Sequence, residues 1–450
     1  MEKANHHDLT ITADPELLNE GSPEERAGFA SVSLRCNGVN LAEGRDGFLN
    51  KIRRSPLLSG YHLAEWLAWN WWRLRWEPRS NLAGWEFAHQ LTTIGEGYVW
   101  PNVTIFSDGK RVACIAKPTP ERAETRFRYI CDALEVVSAS EFEYASEAFI
   151  EQVRGLLRDA GLADSNLDRT WQDVQAERKD PALNRSRKFE ALLGRDPDVG
   201  DPDALKQLTS DVQALGESAA DEIAANYPYR GELFTHPALI ERARQDGFDF
   251  CPADAVRLKG PGIEMRPSES VPAWSLGAAA AKALRQQEHL NGEPIESQVL
   301  ANLAGVQLAA LKEPGHATGI SFLLKGSDGA ARVVLRSGWA TGRRFELARL
   351  LGDRLLQTSD EPLHPATRAH TYRQKMQRSF AAELLSPFES VMEALQGDFS
   401  SESQQEVAER FKVSELTIRT LLVNHHCLER DETGAEFDYP SPIRRGQSPA

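Results

Sequence analysis

Cysteine is the first scarcity. The 450 residues hold five (Cys36, Cys114, Cys131, Cys251 and Cys427), far apart and with no CxxC pair, which excludes a disulfide framework and a zinc ribbon. No stretch approaches 18 consecutive apolar residues, so no membrane span is expected. The opening MEKANHHDLTITADPELLNEG lacks the apolar core of a secretory signal. Together these absences predict a cytoplasmic protein with no membrane partner. Positive charge is also in the minority: 52 Lys and Arg against 66 Asp and Glu give a formal charge of −14. That argues against a whole-surface grip on nucleic acid, which runs on phosphate neutralisation. There is no GxxxxGK[ST] or GxGxxG phosphate loop, no Gx-Ser-xG nucleophile elbow and no HExxH.

What is present fits ordinary globular usage, with 41% hydrophobic and 26% charged residues, and the length accommodates about three domains of roughly 150 residues. Seven of the ten tryptophans fall between Trp66 and Trp100. Trp66, Trp69, Trp72 and Trp76 recur at helical spacing, which predicts one helix with an indole stripe in the core; a stacking platform for bases or ligands is the functional alternative. Asp108-Gly109 between two β-rich runs predicts a hairpin, and Ser138 with Glu141 predicts a helix start. Leu205, Leu208, Val212, Leu215 and Ala219 suggest either a coiled-coil partner surface or antiparallel packing within the chain. A second hairpin is expected around Asp328-Gly329, followed by helices in GRRFELARLLGDRLL and RQKMQRSFAAELLSPF. The fold class expected is α+β multidomain: a Trp-rich α+β domain over 1–135, a helical connector over 136–295, a third domain over 296–430, and a disordered polar tail over 431–450.

The third domain resembles the ImmA/IrrE-type metallopeptidase family. The resemblance rests on Arg344-Phe345, Leu347-Ala348, Leu351-Gly352 and Leu355-Leu356 in one helix, on Phe380-Ala381-Ala382-Glu383-Leu384-Leu385 with Pro387 in the next, and on Val407-Ala408, Phe411 and Val413-Ser414 in a small helical unit. It covers about residues 300–425 and implies a zincin-like domain carrying a three-helix unit. In the family's register the two zinc histidines correspond to Arg349 and Asp353, and the catalytic glutamate to Leu350. Guanidinium cannot ligate a cation, leucine is no base, and one carboxylate is a poor zinc site. Near the family's third ligand, Arg373 to Gln377 include no acid. A degenerate centre is therefore expected, with no cofactor and no bound zinc.

Arg349 and Asp353 stand i, i+4, so an ion pair between them is expected in the metal's place, unless both are solvated on an exposed helix face. Residues 343–378 carry eight basic residues against four acids, a local +4. The candidate cleft comprises Arg344, Arg349, Asp353, His364, His370, Arg373, Arg378 and Glu383. The resemblance implies a bacterial regulatory protein, associated with phage defence or toxin–antitoxin control, that binds a protein partner through the former peptidase cleft. Two alternatives stay open. One is a metallopeptidase with unusual ligands drawn from Asp353, His364, His370 and Glu383. The other is a nucleic-acid-binding regulator, or a binder of another anionic ligand, using the 343–378 stretch and the helix-turn-helix-like 407–422 unit, although residues 406–430 around that unit balance at four basic and four acidic residues. His425-His426-Cys427 invites a metal reading, but adjacent residues on a helix point apart.

Overall fold

The structure is a computed structural model that describes residues 7–259, 266–313, 319–326, 330–357 and 361–428. The chain is α+β and divides into two compact units, Met1–Leu205 and Lys206–Ala450. The expected turn at Asp328-Gly329 and the tail over 431–450 lie outside the described residues.

In the first unit, strands Leu9–Pro15 and Phe29–Cys36 pair antiparallel and turn alternate apolar side chains inward. The Asp108-Gly109 hairpin forms as expected. Asn102–Ser107 pairs with Arg111–Lys117, Asp108 Oδ1 accepts the Lys110 and Arg111 amides, and Gly109 takes φ +96°. Ser138 caps helix Ala139–Asp159 by accepting from the Glu141 amide. The tryptophan stripe departs from the single helix expected. Helix Gly60–Trp69 ends at Asn70, whose side chain donates to Trp66 O at 2.9 Å, and Trp71–Trp76 begins a new helix at once. The break changes the register, so Trp66, Trp71 and Trp72 are buried while Trp69 is 60% exposed. Trp71 packs edge-on against Trp171, ring centroids 5.1 Å apart, so most of the cluster serves the core.

The helices expected over 136–295 do not form a unit of their own. Ala139–Asp159, Asn166–Lys179 and Pro181–Leu192 lie in the first unit, and the later helices lie in the second. The first three place Phe142, Phe149, Leu167, Trp171 and Ala191 in the first unit's core, whereas Ala273–Gln287 places Leu276, Ala280 and Leu284 in the second unit's. The run from Leu205 to Ala219 is not one coiled-coil helix either, because Gly216 breaks it at φ +94°.

The second unit contains helix α1 (Glu217–Arg230), strand β1 (Phe248–Asp249), helix α2 (Ala273–Gln287), strands β2 (Ser321–Lys325) and β3 (Ala331–Val334), helix α3 (Ala340–Leu356), strand β4 (Leu363–Ala366), and helices α4 (Tyr372–Leu385), α5 (Ser401–Phe411) and α6 (Glu415–Asn424), among other short helices. The sheet runs β1-β3-β2-β4, antiparallel throughout. Its core joins Leu323 and Val333 to Leu347, Leu350 and Leu351 of α3 and to Met376, Phe380 and Leu384 of α4. Two glycines let these helices close up. A Cβ on Gly277 of α2 would lie 2.3 Å from Met376 O, and one on Gly352 of α3 would lie 2.4 Å from the Phe380 ring. The α5–α6 pair is a helix-turn-helix: Lys412 takes φ +55° and Ser414 caps α6 through the Thr417 amide. Among the described residues no helix is long and apolar enough to cross a membrane.

Candidate functional site

The α3–α4 pair brings the expected site residues into two distinct places. Near the start of α3, Arg344 turns away from both and clamps other segments, donating to Ile295 O at 2.6 Å and Ser297 Oγ at 2.8 Å. Arg343 is spent likewise on Leu311 O and Gly338 O. Leu350, at the family's glutamate position, lies in the hydrophobic core.

The first place is a buried polar cluster built on Asp353, which is 0% exposed. Its ion-pair partner is Arg373 of α4 and not Arg349 one turn back. Arg373 donates through Nε at 2.8 Å and Nη2 at 2.7 Å. His364 Nδ1 of β4 lies 2.9 Å from Asp353 Oδ2, and Gln377 Nε2 donates to Oδ1 at 2.8 Å. Burial pushes the Asp353 carboxyl up, but Arg373 and His364 outweigh it and hold the group well below the usual carboxylate range. Burial alone would lower the Arg373 guanidinium; Asp353, Glu222 and Glu361 reverse this and raise it.

Arg349 joins the cluster from the side. Its Nη2 donates to Thr367 O at 2.8 Å and to the side-chain oxygens of Gln374 and Gln377, so Gln377 links Arg349 to Asp353. The i, i+4 ion pair expected in the metal's place is thus replaced by one between helices, because the fork of Arg373 offers Asp353 a bidentate match. The alternative of solvated charges fails too, since both residues are buried. Helix α1 closes the cluster. Arg373 Nη1 reaches Ser218 Oγ at 2.9 Å and Glu361 Oε2 at 3.0 Å, Glu361 accepts the Ser218 amide, and Thr371 donates to Glu222 at 2.8 Å. Burial raises the Glu222 carboxyl to about 7, with Arg373 opposing.

Chemically the cluster is closed. Arg373, Gln377 and His364 surround the two Asp353 oxygens at 2.7–2.9 Å, and Gln357 Nε2 approaches Oδ1 at 3.5 Å, so the carboxylate is already engaged by side chains of the domain. Among the described residues no group of three or more His, Cys, Asp and Glu could hold a metal ion. The four residues considered as unusual ligands do not converge: Asp353 and His364 are in the cluster, whereas His370 and Glu383 line the second place. His425 stacks on Phe388, centroids 3.6 Å apart, and Cys427 lies against Met392.

The second place is a groove of about 500 Å³ along the outer side of α3 and α4, walled by α6 and the start of α2. Its apolar surface comes from Phe345 and from Trp274, Trp339 and Leu416, which are 45%, 80% and 54% exposed. Four arginines line it (Arg336, Arg349, Arg368 and Arg378) against two acids, Glu346 and Glu383. Arg336 pairs with Glu346 at 3.1 Å. Burial holds the Glu383 carboxyl above its ordinary value despite nearby Lys282. The groove therefore has a cationic balance beside exposed indoles, which suits a segment carrying both carboxylates and large apolar side chains. The +4 of residues 343–378 reaches it only in part, since Arg343, Arg344 and Arg373 are engaged inside the domain. Sequence reasoning missed Trp274, Trp339 and Leu416; Trp339 carried a faint signal, standing after Ser337-Gly338 directly before α3. It also missed Gln374, Gln377, Ser218 and Glu222, which no motif marks. Compared with family models, with curated proteins and with solved structures, the chain finds no match.

Proposed function

We propose that the second unit is a catalytically degenerate relative of the ImmA/IrrE-type metallopeptidases, and that it acts in bacterial regulation of the defence or toxin–antitoxin kind by binding a protein partner in the α3–α4–α6 groove. One observation carries the reading: Arg349 and Asp353, which the resemblance aligns with the zinc histidines, are held in a buried polar cluster, while an open groove with exposed tryptophans lies directly beside it. Engagement of Asp353 by Arg373 beside a cationic, aromatic groove supports a site that holds a peptide without cutting it. The partner segment is expected to combine aromatic or aliphatic anchors with carboxylates.

Selection of displayed random peptides on the full chain tests this, with a Trp339→Ala/Leu416→Ala chain as the counter-target. Both side chains are exposed, so the fold tolerates their loss. Peptides rich in Asp or Glu and aromatics are expected to bind the parent chain at least tenfold more tightly than the variant. Equal enrichment on both chains overturns the reading. Stoichiometric zinc in untagged protein, together with cleavage of a bound peptide, establishes a peptidase in its place.

A further inference from the structure

The groove has a candidate occupant within the same chain. The described residues end at Leu428, which packs against the domain core four residues after α6, and His425 at the end of that helix lines the groove. Beyond Leu428 the sequence reads ERDETGAEFDYPSP. From Glu429 to Tyr439 it carries five acids (Glu429, Asp431, Glu432, Glu436 and Asp438) against one base, Arg430. Phe437 and Tyr439 flank Asp438, and at a spacing of two they face the same side of an extended segment. This combination matches what the groove offers: exposed Trp339, Trp274 and Leu416, and four arginines to two acids. In the whole chain of −14, the acidic stretch thus begins four residues after His425, a lining residue of a surface of opposite sign. Reach is sufficient, since the nine residues from Leu428 to Phe437 span up to about 30 Å.

Resting on the reading of the groove as a peptide site, we infer that residues 429–439 bind it as an internal ligand, so that an outside partner must displace them. A short tether presents such a ligand at an effective concentration on the order of millimolar. Even a segment of modest intrinsic affinity then competes strongly with a partner arriving from solution. The partner is accordingly a protein segment of the same acid-plus-aromatic chemistry, and binding strength is set by the difference between the two ligands.

The probe is a fluorescent synthetic peptide of residues 429–442, titrated by anisotropy against the full chain and against the full-length Phe437→Ala/Tyr439→Ala chain. The peptide is expected to bind the substituted chain at least tenfold more tightly, and adding Trp339→Ala/Leu416→Ala is expected to abolish that binding. Equal affinity for the two chains, or no binding to the substituted one, overturns the inference. A peptide from the display selection separates the two levels. If it binds while the tail peptide does not, the internal ligand alone is wrong; if neither binds, the groove reading falls as well. Concentration-dependent dimers that disappear on Phe437→Ala/Tyr439→Ala would place the tail in the groove of a second copy and overturn the intramolecular form.

Discussion

Asp353 shows how one residue's role is set by its partners. Buried against Arg373, His364 and Gln377, it balances charges that would otherwise stand unpaired in the core. Asp353→Ala is expected to destabilise the second unit by about 3–5 kcal/mol, the cost of stranding a buried partner, read by urea denaturation at pH 7. A loss below about 1 kcal/mol would place the pair on the surface scale. Because the carboxyl is held below its ordinary value, its contribution is fully present above about pH 4 and disappears only as pH falls through the lower folded value. Glu222 behaves oppositely. Its value is raised to about 7 from an ordinary 4.5, so its contribution is complete below pH 4.5 and is lost as pH rises through 7. Arg373 and Asp221 are the charged groups that act on it. Unfolding free energy is therefore expected to fall between pH 5 and 8, and to fall less in Glu222→Gln; parallel profiles for the two chains would remove Glu222 as the cause. Asp353 was legible as a residue of interest in the sequence. Its partner was not, because Arg373 lies 20 positions away and only the packing of α4 on α3 brings it close.

At the scale of elements, the local signals served well. Asp108-Gly109 and Ser138 with Glu141 each form the turn or cap that their neighbours dictate. The tryptophan stripe misled, since helical spacing cannot reveal that the Asn70 side chain ends one helix and lets the next start in a new register. The packing of α3 on α4 depends on Gly352, where a Cβ would lie 2.4 Å from a fully buried phenylalanine ring. Gly352→Ala is expected to cost roughly 1–3 kcal/mol through overpacking, despite alanine's better helix propensity. Phe380→Leu should restore part of the loss, giving a non-additive double-mutant cycle. Strict additivity would mean that the two side chains do not compete for the same space.

For the whole molecule, charge distribution matters more than its sum. If the groove takes an acidic segment as proposed, the chain's −14 opposes its approach at long range and the groove's arginines favour it at contact. Between about 0.02 and 0.3 M NaCl the Debye length shrinks from tens of ångströms to several, so salt is expected to speed association of an acidic peptide by screening the long-range repulsion, and to speed dissociation by weakening the arginine contacts. Stopped-flow rates at the two salts check this, and association slowed by salt would mean that the groove's own field governs approach. The sequence by itself determined the acidic balance, the lack of a cysteine framework, the Asp108-Gly109 hairpin and the Ser138 cap, because these depend on composition or on residues a few positions apart. Only the tertiary structure decided that the helices of the middle region divide between two units, that Asp353 pairs with Arg373, and that Trp274, Trp339 and Leu416 share one groove. Those outcomes depend on which distant surfaces exclude water together, and that is set by packing of the whole unit.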